Sequence, residues 1–314
     1  VVVEDPDRVR FEGEPVAGRV EVEVDEDVTC SGVFCVLRWR TTGDANTAAK
    51  DSPSVNVGGG TWKGGDRFSF PFSIPVPAGP PTYDGRRFGV HWIVHAEAKL
   101  DWAIDPSVAA PIRVGPLPVG EGSLVDKTES GGFEVGCAMT CTVILLSCLS
   151  VLFMSRGFPG VGWVIGAGVA GLGALVMIPN AFARWRLGET LVECGPSPVA
   201  AGEELAVRIL VHPKADITPK KVSVVLVGVE RSEKGSGKSR KTRSEELGKV
   251  EATLEGPSVL EAGHKAEWAG IVRVPGDAAP SFTAGPHSVT WIVKFAIDQD
   301  WLPEAEWSVA IRVV

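Results

Sequence analysis

The chain of 314 residues contains none of the short patterns by which catalysis is usually recognised. There is no Gly-x-Ser-x-Gly elbow to present a nucleophilic serine, no phosphate-binding P-loop, and no zinc-type spacing among the cysteines. The glycines of Val57-Gly58-Gly59-Gly60 sit between strand-like segments with no helix to follow, so they are not expected to cradle phosphate. The five histidines are scattered. His91 and His95 flank Trp92 on a predicted strand and share one face, but four residues of strand separate their Cα atoms by about 13 Å, too far to share a metal. These absences point away from an enzyme: no catalytic residue, no cofactor and no metal ligand is named.

Disulfide patterning is missing as well. Cys30 and Cys35 are the only cysteines in the first unit, and an extended run between them places their Cα atoms roughly 16 Å apart, beyond disulfide reach unless Ser31-Gly32 bends the chain back. Cys194 has no nearby partner in sequence. Free thiols fit a reducing compartment.

What the chain does have is an internal repeat. PPTYDGRRFGVHWIVHAEAKLDWAIDPSVAAPIRV returns as PSFTAGPHSVTWIVKFAIDQDWLPEAEWSVAIRV, at a constant offset of 199, as between Trp92 and Trp291. A weaker match at an offset of 189 joins Gly13-Glu14 to Gly202-Glu203 and Leu37 to Leu226; the ten-residue difference marks a longer loop in the second copy. Units of this size fit two domains, and solenoid repeats are far shorter. The Asp-Trp pair, at Asp101-Trp102 and Asp300-Trp301, recurs in both copies. It therefore reads as a strand-end feature in which the aspartate ties local backbone donors and the tryptophan fills core, rather than as an acid catalyst.

Between the copies lie two uncharged apolar runs, 137–154 and 158–178, separated by Ser155, Arg156 and Gly157. Each is long enough to cross a bilayer as a helix, which predicts a transmembrane hairpin over 137–180 with both soluble domains on one side. Lys127, Arg184 and Arg186 outside the runs, against Arg156 alone in the turn, place that side in the cytoplasm. In the second run, Gly162, Gly166, Ala170 and Ala174 share a helix face suited to close packing, within the hairpin or between chains as a homo-oligomer. Cys137, Cys141 and Cys148 fall near one stripe of the first run and read as small packing residues, with lipidation of Cys137 a lesser alternative. The implied organisation is a first domain at 1–118, a linker at 119–136, the hairpin, and a second domain at 181–314.

Outside the apolar runs no amphipathic helix is evident, and period-two alternation dominates. Val20, Val22 and Val24 interleave with acids; Val33, Cys35, Leu37 and Trp39 form one face; Phe68, Phe70, Phe72 and Ile74 form another. Val222 to Val229 is nearly all apolar and reads as a central strand. Each unit is thus expected to be a β-sandwich punctuated by Gly and Pro turns. The succession FEGEPVAGRVEVEV, GVFCVLRWRTTG, FSFPFSIPVPAGPPTYDG and FGVHWIVHAEAKLD resembles the arrestin-like sandwich, and two such units in tandem is how arrestins are built. The resemblance implies a mainly β fold of two tandem arrestin-like, Ig-like sandwiches that grip protein partners by sheet edges and loops. Arrestins lack a two-helix insert, and none of their phosphate-sensing or receptor-contact residues is carried over.

The most distinctive polar segment is RSEKGSGKSRKTRSEE. Arg231, Lys234, Lys238, Arg240, Lys241 and Arg243 gather six positive charges in a chain whose net charge is −8, while the matching first-unit segment, TTGDANTAAKDSPSVNVGGGTWKGG, is nearly free of them. A solvated loop is the plain reading; membrane lipid or an acidic protein partner is the sharper one. Nucleic acid is not expected, because no aromatic platform accompanies the charge. The sequence thus predicts a membrane-anchored adaptor at the cytoplasmic face. The alternatives are an envelope-facing structural or adhesion protein, which needs the opposite topology, and an accessory subunit of a membrane complex.

Overall fold

The computed structural model describes residues 1–43, 46–101, 104–117, 123–129, 182–300 and 302–314. The first lobe is built from β1 (Val2–Val3), β2 (Val9–Arg10), β3 (Pro15–Glu23), β4 (Val28–Gly43), β5 (Ala49–Asp51), β6 (Val55–Trp62), β7 (Arg67–Pro75), β8 (Tyr83–Asp84), β9 (Phe88–Leu100) and β10 (Ser107–Val114). One sheet runs β1-β3-β7, and the other runs β2-β10-β9-β4-β5 with β6 added on β4 and β8 on β9. β2 and β10 pair in parallel. The second lobe follows with β11 (Ser123–Glu129), β12 (Glu189–Ser197), β13 (Glu204–His212), β14 (Pro219–Lys234), β15 (Lys241–Thr253), β16 (Ala266–Arg273), β17 (Phe282–Ala284), β18 (His287–Gln299) and β19 (Ala305–Ile311). Its sheets run β11-β12-β13-β16 and β15-β14-β18-β17, with β19 following β17 along the edge of β18 that faces away from β14.

Alternation in sequence becomes alternation in burial. In β9, Val90, Trp92, Val94, Ala96 and Ala98 are buried, and in β18 the same role falls to Val289, Trp291, Val293, Phe295 and Ile297. Because successive side chains point to opposite faces, one row enters the core and the other stays outside. The run from Val222 to Val229 lies in β14, held between β15 and β18, as its continuous apolarity requires. The second core joins Val192, Val207 and Trp268 of one sheet to Val224, Leu226 and Phe295 of the other, so two sheets close over one apolar layer.

The repeat is reproduced down to single hydrogen bonds. Trp92 Nε1 donates to the Pro80 carbonyl at 2.8 Å and Trp291 Nε1 donates to the Ala279 carbonyl at 2.8 Å. Thr82 Oγ1 accepts from the Val114 amide at 2.9 Å, and Ser281 Oγ accepts from the Val313 amide at 3.0 Å. Gly13 and Gly202 both sit at positive φ, 82° and 84°, in turns where the Glu14 and Glu203 carboxylates accept the Phe11 and Ala200 amides.

Several sequence expectations need correction. Among the described residues no helix is long and apolar enough to cross a membrane, and the α-helix described there spans only 182–187. This overturns the reading of the chain as an integral membrane protein with a transmembrane hairpin and cytoplasmic domains; it does not bear on crossing by strands. The physical reason is that the described chain places its apolar residues at period two, where they face sheet cores. The runs 137–154 and 158–178, with Gly162, Gly166, Ala170, Ala174 and Cys137, Cys141 and Cys148, lie outside the described residues. Residues 123–129, read as linker, form β11 and pair with β12 from Ser123 opposite Ser197 to Glu129 opposite Thr190. The Asp101 and Asp300 side chains do not tie backbone donors among the described residues; Asp300 instead pairs with Lys220 at 2.9 Å, while Trp102 and Trp301 lie outside the description.

Cys30, Cys35 and Cys194 are buried, and none of them forms a disulfide among the described residues. Burial pushes the Cys35 thiol up to about 11 and the Cys194 thiol to about 12. A raised thiol favours the neutral form in the fold, so its contribution to stability is complete below the ordinary value of 9.0 and is lost as pH rises toward about 12. Peptide mapping after alkylation below pH 9.0 is therefore expected to find Cys35 and Cys194 protected in native protein and labelled once denatured. Prompt labelling of the native chain would contradict the buried placement.

Candidate functional site

The two lobes meet at a polar seam built on one buried carboxylate. Glu230, at the end of the apolar stretch of β14, has no exposed surface. Its Oε2 accepts the Arg86 amide at 3.0 Å, and its Oε1 accepts the Arg87 and Phe88 amides at 3.0 and 3.1 Å. A turn of first-lobe backbone thus wraps a second-lobe anion, which supplies the hydrogen bonds a buried charge requires. Gly85 permits the approach, since a Cβ there would fall 2.4 Å from Glu230 Oε1 and 2.3 Å from the Tyr83 ring.

Around this nest the contact continues in both polar and aromatic form. The Asn46 side chain donates to the Gly235 carbonyl at 2.8 Å and accepts the Gly235 amide at 2.9 Å. The Asn46 amide donates to the Glu233 carbonyl at 2.9 Å. His287, fully buried, has Nε2 2.6 Å from the Asn46 carbonyl and accepts the Glu233 amide at Nδ1 at 3.4 Å. That arrangement assigns the proton to Nε2. Phe88 stacks on His287 with centroids 4.9 Å apart, and Tyr83 meets Phe282 edge-on at 5.1 Å. Burial first, then the Glu230 charge, push the Tyr83 phenol above its usual range, and its buried hydroxyl has no hydrogen-bond partner among the described residues.

The six predicted cations lie on the hairpin formed by β14, a short 3-10 turn (Gly237–Ser239) and β15. The structure divides them. Arg231 and Arg240 converge on Glu233, which is 8% exposed: Arg231 lies 3.7 Å from its carboxylate, and Arg240 Nε donates to it at 2.6 Å. Lys234 stands opposite Lys241, and Ser232 stands opposite Arg243, on the face that also carries Glu230. Lys238 is exposed in the turn. Among the described residues, Lys234, Lys238, Lys241 and Arg243 have no ion pair within 4.0 Å.

Lys234 and Arg243 line a cleft of about 330 Å³ between the lobes, together with Arg86, Arg87, Thr42 and Ser232. Asp84 is the carboxylate on its wall. Glu245, behind it, lies 2.5 Å from Arg87 Nε and 3.5 Å from Arg86. A second cleft, of about 360 Å³, lies where the same 84–86 turn meets Leu247 and Trp291. Elsewhere, His91 and His95 share the outer face of β9 as expected, His91 Nε2 lying 2.9 Å from Thr42 Oγ1.

Sequence reasoning missed Glu230, Asn46, Arg86, Arg87 and His287. A signal for Glu230 was present, since it is a lone acid closing an apolar central strand; Asn46 carried none. Glu230→Gln keeps the size but replaces one acceptor oxygen by a donor facing backbone N–H groups. It is expected to cost about 1–3 kcal/mol in urea denaturation of the full chain. An unchanged midpoint would show that the carboxylate does not hold the seam. Compared with protein-family models the chain matches none, and no curated protein matches it.

Proposed function

We propose that the chain is a non-catalytic binding scaffold. In this reading its two arrestin-like sandwiches act as one unit and hold an acidic stretch of a protein partner against the β14–β15 hairpin. One observation carries this: unpaired cations are concentrated on an ordered hairpin whose root is fixed to the other lobe, in a chain of net charge −8. A rigid platform of this kind presents charge without first having to order it, so less entropy is lost on binding. A cluster of unpaired positive charge on one ribbon of an acidic protein also steers an acidic partner toward that ribbon. The resemblance to arrestin-like sandwiches supports the same class of activity, which is recognition of other proteins.

Lys238 and Lys241 are suited to a test because both are exposed and unpaired. With a fluorescent polyglutamate peptide as probe, fluorescence anisotropy is expected to show binding that weakens as salt rises. Replacing both lysines by Ser should weaken it about thirtyfold at low ionic strength, on the basis of about 1 kcal/mol for each of two close charge pairs in water. Equal binding by wild type and the double variant would remove the hairpin from the recognition surface, and no binding by either would remove the acidic partner.

A further inference from the structure

The cleft at the root of the hairpin has a composition that the fold alone does not call for. Lys234 and Lys241 face each other across β14 and β15, and like charges directly opposite on a sheet repel. Arg243 lies on the same face one pair further along, and Arg86 and Arg87 approach from the first lobe. Against them stand Asp84 on the wall and Glu245 behind the two arginines. Nearby acid is not scarce: Glu233 is close in sequence but is taken by Arg231 and Arg240 on the other face. Lys234 and Arg243, both exposed at the cleft, therefore have no ion pair within 4.0 Å among the described residues, and Asp84 is the carboxylate that shares the lining with them.

The rest of the lining suits an anion. Thr42 and Ser232 add one hydroxyl from each lobe, the Thr42 Oγ1 lying 2.9 Å from His91 Nε2, to which it is hydrogen-bonded in the absence of a ligand. Arg243 offers a planar fork and Lys234 a mobile point charge, a combination that fits the oxygens of a carboxylate or phosphate group. At about 330 Å³ the cleft is at the lower end of the range for small-molecule pockets.

We propose that this interlobe cleft binds a small oxyanion carrying two or more negative charges, held by Lys234 and Arg243 of the second lobe and by Arg86 and Thr42 of the first. The site goes beyond the partner-binding reading and does not depend on it, because the hairpin tip at Lys238 lies outside the lining. An anion contacting both lobes adds to the contacts that hold the seam, so its binding raises the stability of the whole chain.

Thermal unfolding of the full chain, titrated with citrate and separately with pyrophosphate against sodium chloride at matched ionic strength, tests this. A saturable rise in Tm is expected with at least one of them: with citrate alone for a carboxylate site, with pyrophosphate alone for a phosphate site, with both for a general oxyanion site. Arg243→Ser and Lys234→Ser should each abolish the rise, and because neither residue has an ion pair to lose, both should keep a near-native Tm without ligand. If one of them unfolds, the other still reads the site. The Lys238→Ser, Lys241→Ser variant should retain at least the larger part of the rise, which separates this site from the peptide surface. The proposal is overturned if neither anion exceeds the chloride control, or if the rise is unchanged in both Arg243→Ser and Lys234→Ser.

Discussion

The carboxylate of Glu230, enclosed by three first-lobe amides, is the constraint on which the arrangement of the molecule depends. A buried charge is tolerated only when its hydrogen-bonding capacity is met, and here the donors come from the other half of the chain. Separation of the lobes would leave both the carboxylate and the amides of the 86–88 turn to find new partners in water. Once the nest is closed, the other contacts come into register: Asn46 reaches Gly235, Phe88 covers His287, and Glu245 lies beside Arg87. Ala284 and Val289 of the second lobe then join the first-lobe core, so the apolar layer itself crosses the boundary.

The seam is also where the repeat meets itself. Tyr83 and Phe282 occupy equivalent places in the two copies, as do Phe88 and His287, and each residue packs against its own counterpart. Self-contact of equivalent residues is the mark of a two-fold interface, here contained within one chain. The polar contacts break this symmetry. Gly228 stands where the first copy has Trp39, each lying opposite the repeated tryptophan of its unit, Trp291 or Trp92, so two residues on Glu230 stands where the first copy has Thr41. Thr41 Oγ1 accepts the Ala48 amide within its own lobe, at 2.7 Å, whereas Glu230 reaches across. A single carboxylate on one side thus fixes a direction on an otherwise balanced contact.

How much of this was legible in the sequence follows from the range of the interactions. Strand placement was readable because period two is local: Val90, Trp92 and Val94 indicate a buried row without reference to any other segment. The turn at Gly13-Glu14 and its copy at Gly202-Glu203 were visible for the same reason. The seam was not, because its partners lie far apart in sequence; Asn46 and Gly235 are joined only after both lobes have formed. The basic segment was found by composition, but composition alone could not divide it. Strand alternation puts Lys234 and Arg243 on the face of Glu230 and leaves Arg231 on the face of Glu233, and that split depends on knowing that the segment is a hairpin. Uncharged length, by contrast, suggested membrane helices from a purely local property, whereas the described chain shows a β architecture.

The division of charge has a structural origin that also explains why it stays at the seam. In a hairpin, a residue's face is fixed by parity, and parity here is locked at Glu230: if it is to enter the nest, Ser232 and Lys234 must follow on the same side. Shifting the register of β14 by one residue would turn Glu230 outward and bring Arg231 against the amides of 86–88, where donor would meet donor. The buried carboxylate therefore orients the cations as well as joining the lobes. Positive charge collects in the cleft because the interaction that closes the seam determines which way the rest of the strand must face.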